Sequence, residues 1–267
     1  MARSLHIDQV GRSLELGSPP KRIISLVPSI TELLVDLGLE DELIGITKFC
    51  VHPPRLKDQK AIIGGTKNLK IDKIRALQPD LIIANKEENI AEQVERLAQD
   101  YPVWVSNVST LEQATEMILM ISDLCRRKQR GLNMVNDIHQ GLEQLSAMGG
   151  PKLKIAYLIW KNPYMSCGRD TYIHSVLEKA HFENVFRHTQ RYPTTDIEEI
   201  EALQPDCIFL SSEPFPFGPK HVLEIQKKIS SKIKVIQVSG EIFSWYGSYM
   251  LKIPAYLEKL KKEIAHS

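Results

Sequence analysis

The chain has 267 residues with 43% hydrophobic and 25% charged residues, the balance of a globular protein long enough to bury a full core. Its formal net charge of +1 gives no field for nucleic-acid binding, and no apolar run approaches the roughly 18–20 residues of a membrane span. The four cysteines, Cys50, Cys125, Cys167 and Cys207, form no C-x-x-C pair. Cys125 and Cys207 lie in helical and apolar patterns that predict buried, reduced thiols, and Cys50 and Cys167 fall in predicted loops.

The opening "MARSLHIDQVGRSLELGSPP" lacks the apolar core of a secretory signal and reads as a short hairpin around a Gly turn. "RIISLV" then predicts a strand, "PSITELLVDLGL" a helix, "ELIGIT" a strand and "KFCVHPPRL" a loop. In "IDKIRALQPDLIIAN", residues 71–85, Ile71, Ile74 and Leu77 recur at helical spacing. Gln-Pro then ends the helix, because a residue before proline disfavours the α region. "DLIIAN" is an apolar run of the kind found in parallel strands buried on both faces. A helix "ENIAEQVERLAQD" and a strand "PVWVSN" follow.

Residues 109–150 keep helical periodicity without proline and stop at Gly-Gly, with Gly131 a candidate break between two helices. Beyond them come a strand "KIAYLIW", a loop "NPYMSCGRD", a helix "TYIHSVLEKA", a loop "RHTQRYPTT" and a strand "KVIQVS". Before that last strand stands "IEEIEALQPDCIFLS", residues 197–211, which matches residues 71–85 at 8 of 15 positions with an offset of 126. Strands alternating with helices and a unit repeated half a chain apart predict an α/β protein of two parallel-sheet lobes: 1–108 with the leading hairpin, a rigid helical connector over 109–150, and 151–267. The alternative is one doubly wound domain with a long crossover.

In such lobes ligands bind beyond the C-terminal ends of the strands. The positions there are Lys48, Phe49, Lys67, Asn85 and Lys86 in the first half, and Trp160, Tyr164, Arg191, Tyr192, Glu213, Phe215, Trp245 and Tyr246 in the second. The aromatics of "SEPFPFGP" and "FSWYGSY" either form a flat ligand face or pack under their own loops. Cys50 and His52 could together hold a soft metal, although a closed site needs further ligands. There is no G-x-S-x-G, H-E-x-x-H, P-loop or G-x-G-x-x-G, so nothing points to catalysis.

"KRIISLVPSITELLVDLGLEDELIG", both repeat copies and "GRDTYIHSVLEKAHFENVF" resemble the substrate-binding proteins of ABC importers for vitamin B12, iron-siderophores and haem, the helical-backbone metal receptor class. The resemblance runs from about residue 20 to residue 260 and is nearest the vitamin B12-binding branch. It implies a class III periplasmic-binding-protein-like fold with a ligand cleft between lobes, a monomer with no cofactor, and a corrinoid or iron-chelate ligand. It also implies that Asp72 and Glu198, the second residue of each repeat copy, dock importer subunits. Without it, both are ordinary first-turn acids favoured by the helix dipole. The branch tends to carry Trp where this chain has Asn85, Lys67 and Tyr192, so one wall is expected aromatic (Trp160, Tyr164, Tyr192, Phe215, Trp245, Tyr246) and the other cationic (Lys48, Lys67, Lys86, Arg191). The family is exported to the periplasm or cell surface; the missing signal leaves open a cytoplasmic metal-chelate carrier or sensor built on Cys50 and His52.

Overall fold

A computed structural model describes residues 4–266, which divide into two compact units. The first takes the chain up to Val108, Glu112–Asn136 and Tyr246–Tyr249; the second takes Ser109–Leu111, Asp137–Trp245 and the chain from Met250 onward. The segment 109–150 is thus shared, with the boundary at Asn136/Asp137, and four residues near the C-terminus return to the first unit.

The first unit opens with the hairpin β1 (Ser4–Ile7) and β2 (Ser13–Leu16). β3 (Ile23–Ser25), α1 (Pro28–Asp36) and β4 (Leu43–Ile46) follow. A short turn of helix, α2 (Leu56–Gln59), leads to β5 (Ala61–Ile62) and the small hairpin β6 (Gly64–Gly65) and β7 (Asn68–Leu69). Then come α3 (Ile71–Ala76), β8 (Leu81–Asn85), α4 (Ala91–Ala98) and β9 (Val103–Ser106). The sheet runs β5-β4-β3-β8-β9 with every pairing parallel. β3, β8 and β9 are buried along their whole length, as a parallel sheet covered on both faces requires.

α5 (Leu111–Leu124) and α6 (Lys128–Ala147) occupy the predicted helical segment. The break falls at Arg126, not at Gly131. Arg126 takes a φ of 55°, and the Arg127 N–H closes on the Ser122 carbonyl at 2.6 Å, satisfying orphan carbonyls at the helix end. Gly131 lies inside α6, where any Cβ would run into the Ser122 side chain, so it permits close packing of α6 on α5.

The second unit holds β10 (Lys154–Leu158), β11 (Tyr164–Met165), α7 (Tyr172–Lys179), β12 (Glu183–Asn184) and β13 (Thr194–Thr195). α8 (Ile197–Ala202), β14 (Cys207–Ser211), α9 (Pro219–Gln226), β15 (Lys234–Val238), α10 (Gly240–Ser244) and α11 (Ile253–His266) complete it. Its parallel sheet is ordered β12-β10-β14-β15, and β11 pairs with β13 antiparallel outside it. α9 begins where the Pro- and Gly-punctuated "SEPFPFGP" ends, and Pro219 stands in its first turn.

The repeated segments fold alike. α3 buries Ile71 and Ile74, and α8 buries Ile197 and Ile200. Both end at a Gln with positive φ, 46° at Gln78 and 49° at Gln204, so the stop before each proline is a left-handed residue rather than an extended one. In each copy the following Asp is tied to the neighbouring strand. Asp80 accepts the Lys21 and Arg22 N–H groups at 2.7 and 2.9 Å, and Asp206 accepts the Lys154 N–H at 2.7 Å.

All four cysteines are free and buried, Cys50 and Cys167 included. Burial pushes the Cys125 and Cys167 thiols up to about 12 and Cys207 up to about 11, so they stay protonated.

The leading hairpin is pinned by one buried carboxylate. Asp8 Oδ1 accepts the Val10 and Arg12 N–H groups at 3.0 and 2.7 Å, and Oδ2 accepts the Val105 N–H of β9 at 3.0 Å. The Gln9 N–H adds a bond to the Val105 carbonyl at 3.2 Å, so the hairpin turn covers an edge strand. Asp8→Ala is expected to lose about 2–3 kcal/mol, because three backbone donors lose a charged acceptor; urea unfolding measures it.

Two buried histidines are held neutral. The Asn184 amide donates to His174 Nδ1 at 3.2 Å, and its orientation is set because Asn184 Oδ1 accepts the Phe186 N–H. His221 Nδ1 accepts the Gly218 N–H at 3.0 Å. Burial lowers the pKa of both below 6.5. The unfolded chain therefore takes up protons first, and stability should fall as the pH drops below about 6.5 toward the folded values. The double variant His174→Asn/His221→Asn should flatten the dependence of urea unfolding on pH between about 6.5 and 5.

Candidate functional site

In the first unit the ends of β8 and β9 are organised around Asn85. Its Oδ1 accepts the Glu87 and Glu88 N–H groups at 2.8 and 2.9 Å, and its Nδ2 donates to the Ser106 hydroxyl at 3.0 Å. Asn89 Oδ1 accepts the Asn85 N–H at 2.8 Å, and Asn89 Nδ2 reaches the Leu26 and Thr66 carbonyls. Asn85 is only 3% exposed and its polar atoms are spent on the turn. It shapes the loop that carries Lys86, and it lies in the wall of the cavity beside that turn.

The cations around this turn are exposed. Lys48 stands 4.9 Å over the ring of Phe49, which is itself exposed, and both rest on Gly65. Lys67 donates to the Glu87 carbonyl; Lys86 donates its backbone N–H to the Ser106 carbonyl at 2.9 Å, and its side chain makes no hydrogen bond among the described residues. A cavity of about 580 Å³ opens beside the turn, lined by Lys86 and Asn107 and, from the leading hairpin, Gln9 and Arg12. The hairpin's share was not visible in the sequence, where nothing links residues 9–12 to 85–107; the link is the Asp8 carboxylate.

The Cys50 sulfur lies 3.1 Å from the Thr31 hydroxyl and 3.3 Å from that of Thr47, and burial raises its pKa. The His52 ring lies 6.1 Å from that of Tyr249, and no group of three metal-ligating side chains occurs among the described residues.

In the second unit an aromatic surface forms past β10. Trp160, 40% exposed, meets Phe215 edge-to-face at 5.6 Å. Phe215 contacts Phe217 at 4.7 Å and His221 at 5.4 Å. The backbone fixes this geometry: the Met165 N–H donates to the Trp160 carbonyl at 3.2 Å and the Phe215 N–H to the Ile159 carbonyl at 3.3 Å. Tyr164, half-buried in β11, pairs with Thr195, and its phenol pKa is raised by burial. Arg191 is exposed, at a φ of 55°, with its guanidinium 5.3 Å from the Tyr192 ring.

The rest of the expected aromatic wall is not surface. Trp245 is 8% exposed and Tyr246 5%, and the two fall in different units. The Tyr246 hydroxyl reaches Glu88 at 3.5 Å within the first unit, and burial raises its pKa well above 10. Glu213 accepts the Ser244 hydroxyl at 2.9 Å, which ties its loop to α10. Asp72 and Glu198 are both exposed in the first turns of α3 and α8.

Compared with known proteins, residues 23–237 match the profile of the family described as periplasmic binding protein. This chain belongs to the periplasmic binding protein family. Vitamin B12-binding proteins of Vibrio vulnificus and Vibrio campbellii are 30% and 29% identical to it over 199 residues, covering 73% of this chain and 72% of each relative. Among solved structures, the periplasmic vitamin B12 binding protein BtuF of Vibrio cholerae superposes with a TM-score of 0.77 at 22% identity, over 91% of this chain and 99% of that one. A periplasmic heme binding protein from Pseudomonas aeruginosa reaches 0.78 at 20% identity, over 93% and 94%. These likenesses place this periplasmic binding protein in the α/β class III fold, and its role is substrate binding.

Burial separates its three tryptophans, since Trp104 is 1% exposed. Iodide should quench chiefly Trp160, and Trp160→Phe should remove most of the quenchable emission and shift the remainder to the blue.

Proposed function

We propose that this protein binds a corrinoid or another metal-chelate ligand and delivers it to an ABC importer from the periplasmic side or the cell surface. The exposed Trp160–Phe215 pair carries this reading. An edge-to-face pair offers apolar area and a π-face to a flat macrocycle, and its backbone bonds hold it in place without a ligand. Tyr164, Tyr192 and Phe217 extend or support that surface. Lys48, Lys67, Lys86 and Arg191 supply cations for carboxylate or phosphate groups on the ligand, with Phe49 beside Lys48. Vitamin B12-binding relatives support the corrinoid, and heme-binding neighbours of the same fold support the wider chelate class.

The protein acts by binding and not by bond chemistry, as a monomer without a cofactor or nucleic-acid partner. Trp245 and Tyr246, both mostly buried, are the least accessible members of the expected aromatic wall. Asp72 and Glu198 stay as exposed candidates for importer contact.

Titration of the purified protein with cyanocobalamin, haemin and a ferric siderophore tests the reading through tryptophan quenching. One of them is expected to quench at micromolar concentration or below. Trp160→Ala should then weaken it at least about tenfold, the loss of roughly 1.4 kcal/mol that one aromatic contact supplies. Silence from all three would overturn the chelate reading.

A further inference from the structure

The cavity of about 580 Å³ beside the Asn85 turn has one wall made by the leading hairpin. That hairpin precedes residues 23–237, the part of the chain that matches the family profile. It is firmly seated all the same. Besides the Asp8 bonds, Gln9 is held at both ends of its amide: Nε2 donates to the Gln113 carbonyl at 2.9 Å, and Oε1 accepts the Asn107 N–H at 3.1 Å. The wall is therefore in place before any ligand arrives. The volume falls within the roughly 300–1,000 Å³ of small-molecule pockets.

The chemistry of this wall is one-sided. Val94 and Val105, each 5% exposed, supply its buried apolar part, and Val10 and Ala91 extend that part toward solvent. The amide acceptors in the wall are already engaged by backbone donors. Gln9 Oε1 takes the Asn107 N–H, Asn89 Oδ1 takes the Asn85 N–H, and Asn85 Oδ1 takes the Glu87 and Glu88 N–H groups. What is left over is mostly donors. The side chains of Lys86 and Asn107 make no hydrogen bond among the described residues, and Arg12 gives only Nη2 to Glu95. No carboxylate lines the cavity among the described residues. Donors beside an apolar base, without an acid, complement a molecule that is hydrocarbon at one end and acceptor-only at the other.

We infer that this cavity binds a small organic anion. Its apolar body lies on Val10, Val94 and Val105, and its carboxylate or phosphate meets Lys86, Arg12 and Asn107. The site is contained in the first unit and uses neither Trp160 nor Phe215, so it is separate from the chelate surface proposed above. A bare inorganic anion fits less well, because it leaves the valines uncovered.

Amide NMR of the full-length, isotope-labelled protein, titrated with butyrate, hexanoate, octanoate, octyl phosphate and inorganic phosphate, tests the assignment. Octanoate and octyl phosphate are expected to give saturable shifts at residues 9–12, 86, 91–94 and 105–107, and the tighter of the two identifies the head group. Affinity should rise about three- to fourfold for each methylene added between butyrate and octanoate. Asn107→Asp keeps the side chain's size and the backbone bond to Gln9 but sets an acid in the wall. It should weaken octanoate about tenfold, as should Lys86→Gln. Quenching of Trp160 by a chelate should be the same in Asn107→Asp as in the parent. Shifts that do not saturate, or that fall elsewhere, would overturn the inference. So would inorganic phosphate binding as tightly as octanoate, or octanoate binding undiminished in Asn107→Asp. Loss of chelate quenching in Asn107→Asp would make the cavity part of the chelate site and overturn the separate one. Saturable octanoate binding by a protein that no chelate quenches would support this site and count against the chelate reading alone.

Discussion

Each sheet depends on one carboxylate that ties a strand to its neighbour at the point where both begin. Asp80 holds the Lys21 and Arg22 amides, and returns its own N–H to the Arg22 carbonyl at 3.0 Å. Asp206 holds the Lys154 amide and returns its N–H to the Lys154 carbonyl at 2.8 Å. A parallel strand pair has no tight turn to set its register, so an anchor at the shared start does that work. With β8 set against β3, and β14 against β10, the loops at the opposite ends are fixed in depth. The placement of Asn85, Lys86, Trp160 and Phe215 follows from those two registers.

The two units use that common frame for different surfaces. In the first, an Asn network shapes a turn that exposes lysines. In the second, backbone bonds from Met165 and Phe215 hold an aromatic pair at the surface. The tips of α3 and α8 diverge in the same way: identical buried isoleucines and inverted surface charge.

The fold was legible because buried parallel strands and amphipathic helices leave periodic marks. Ile71 and Ile74, the Gln-Pro stop and the apolar run after it described one unit, and its copy 126 residues later described the second. Legibility failed where the meaning of a residue depended on distant contacts. Gly131 read as a break and proved to be a packing position against Ser122. "PKHVLEIQ" was assigned to no element, and it forms a helix that Pro219 opens in its first turn.

The sequence by itself determined the α/β class and the duplication, which follow from local periodicity and from residues that repeat in order, and its motifs resemble those of the substrate-binding family to which the chain belongs. Only the tertiary structure decided which loop residues face outward. Trp160 and Trp245 look equivalent in the sequence, both aromatic and both past a strand, yet one is 40% exposed and the other 8%. Asn85 and Lys86 are neighbours, yet the side chain of one is consumed by the turn and that of the other is exposed. Burial and hydrogen-bond satisfaction are properties of the surroundings, and residues far apart in the chain supply them.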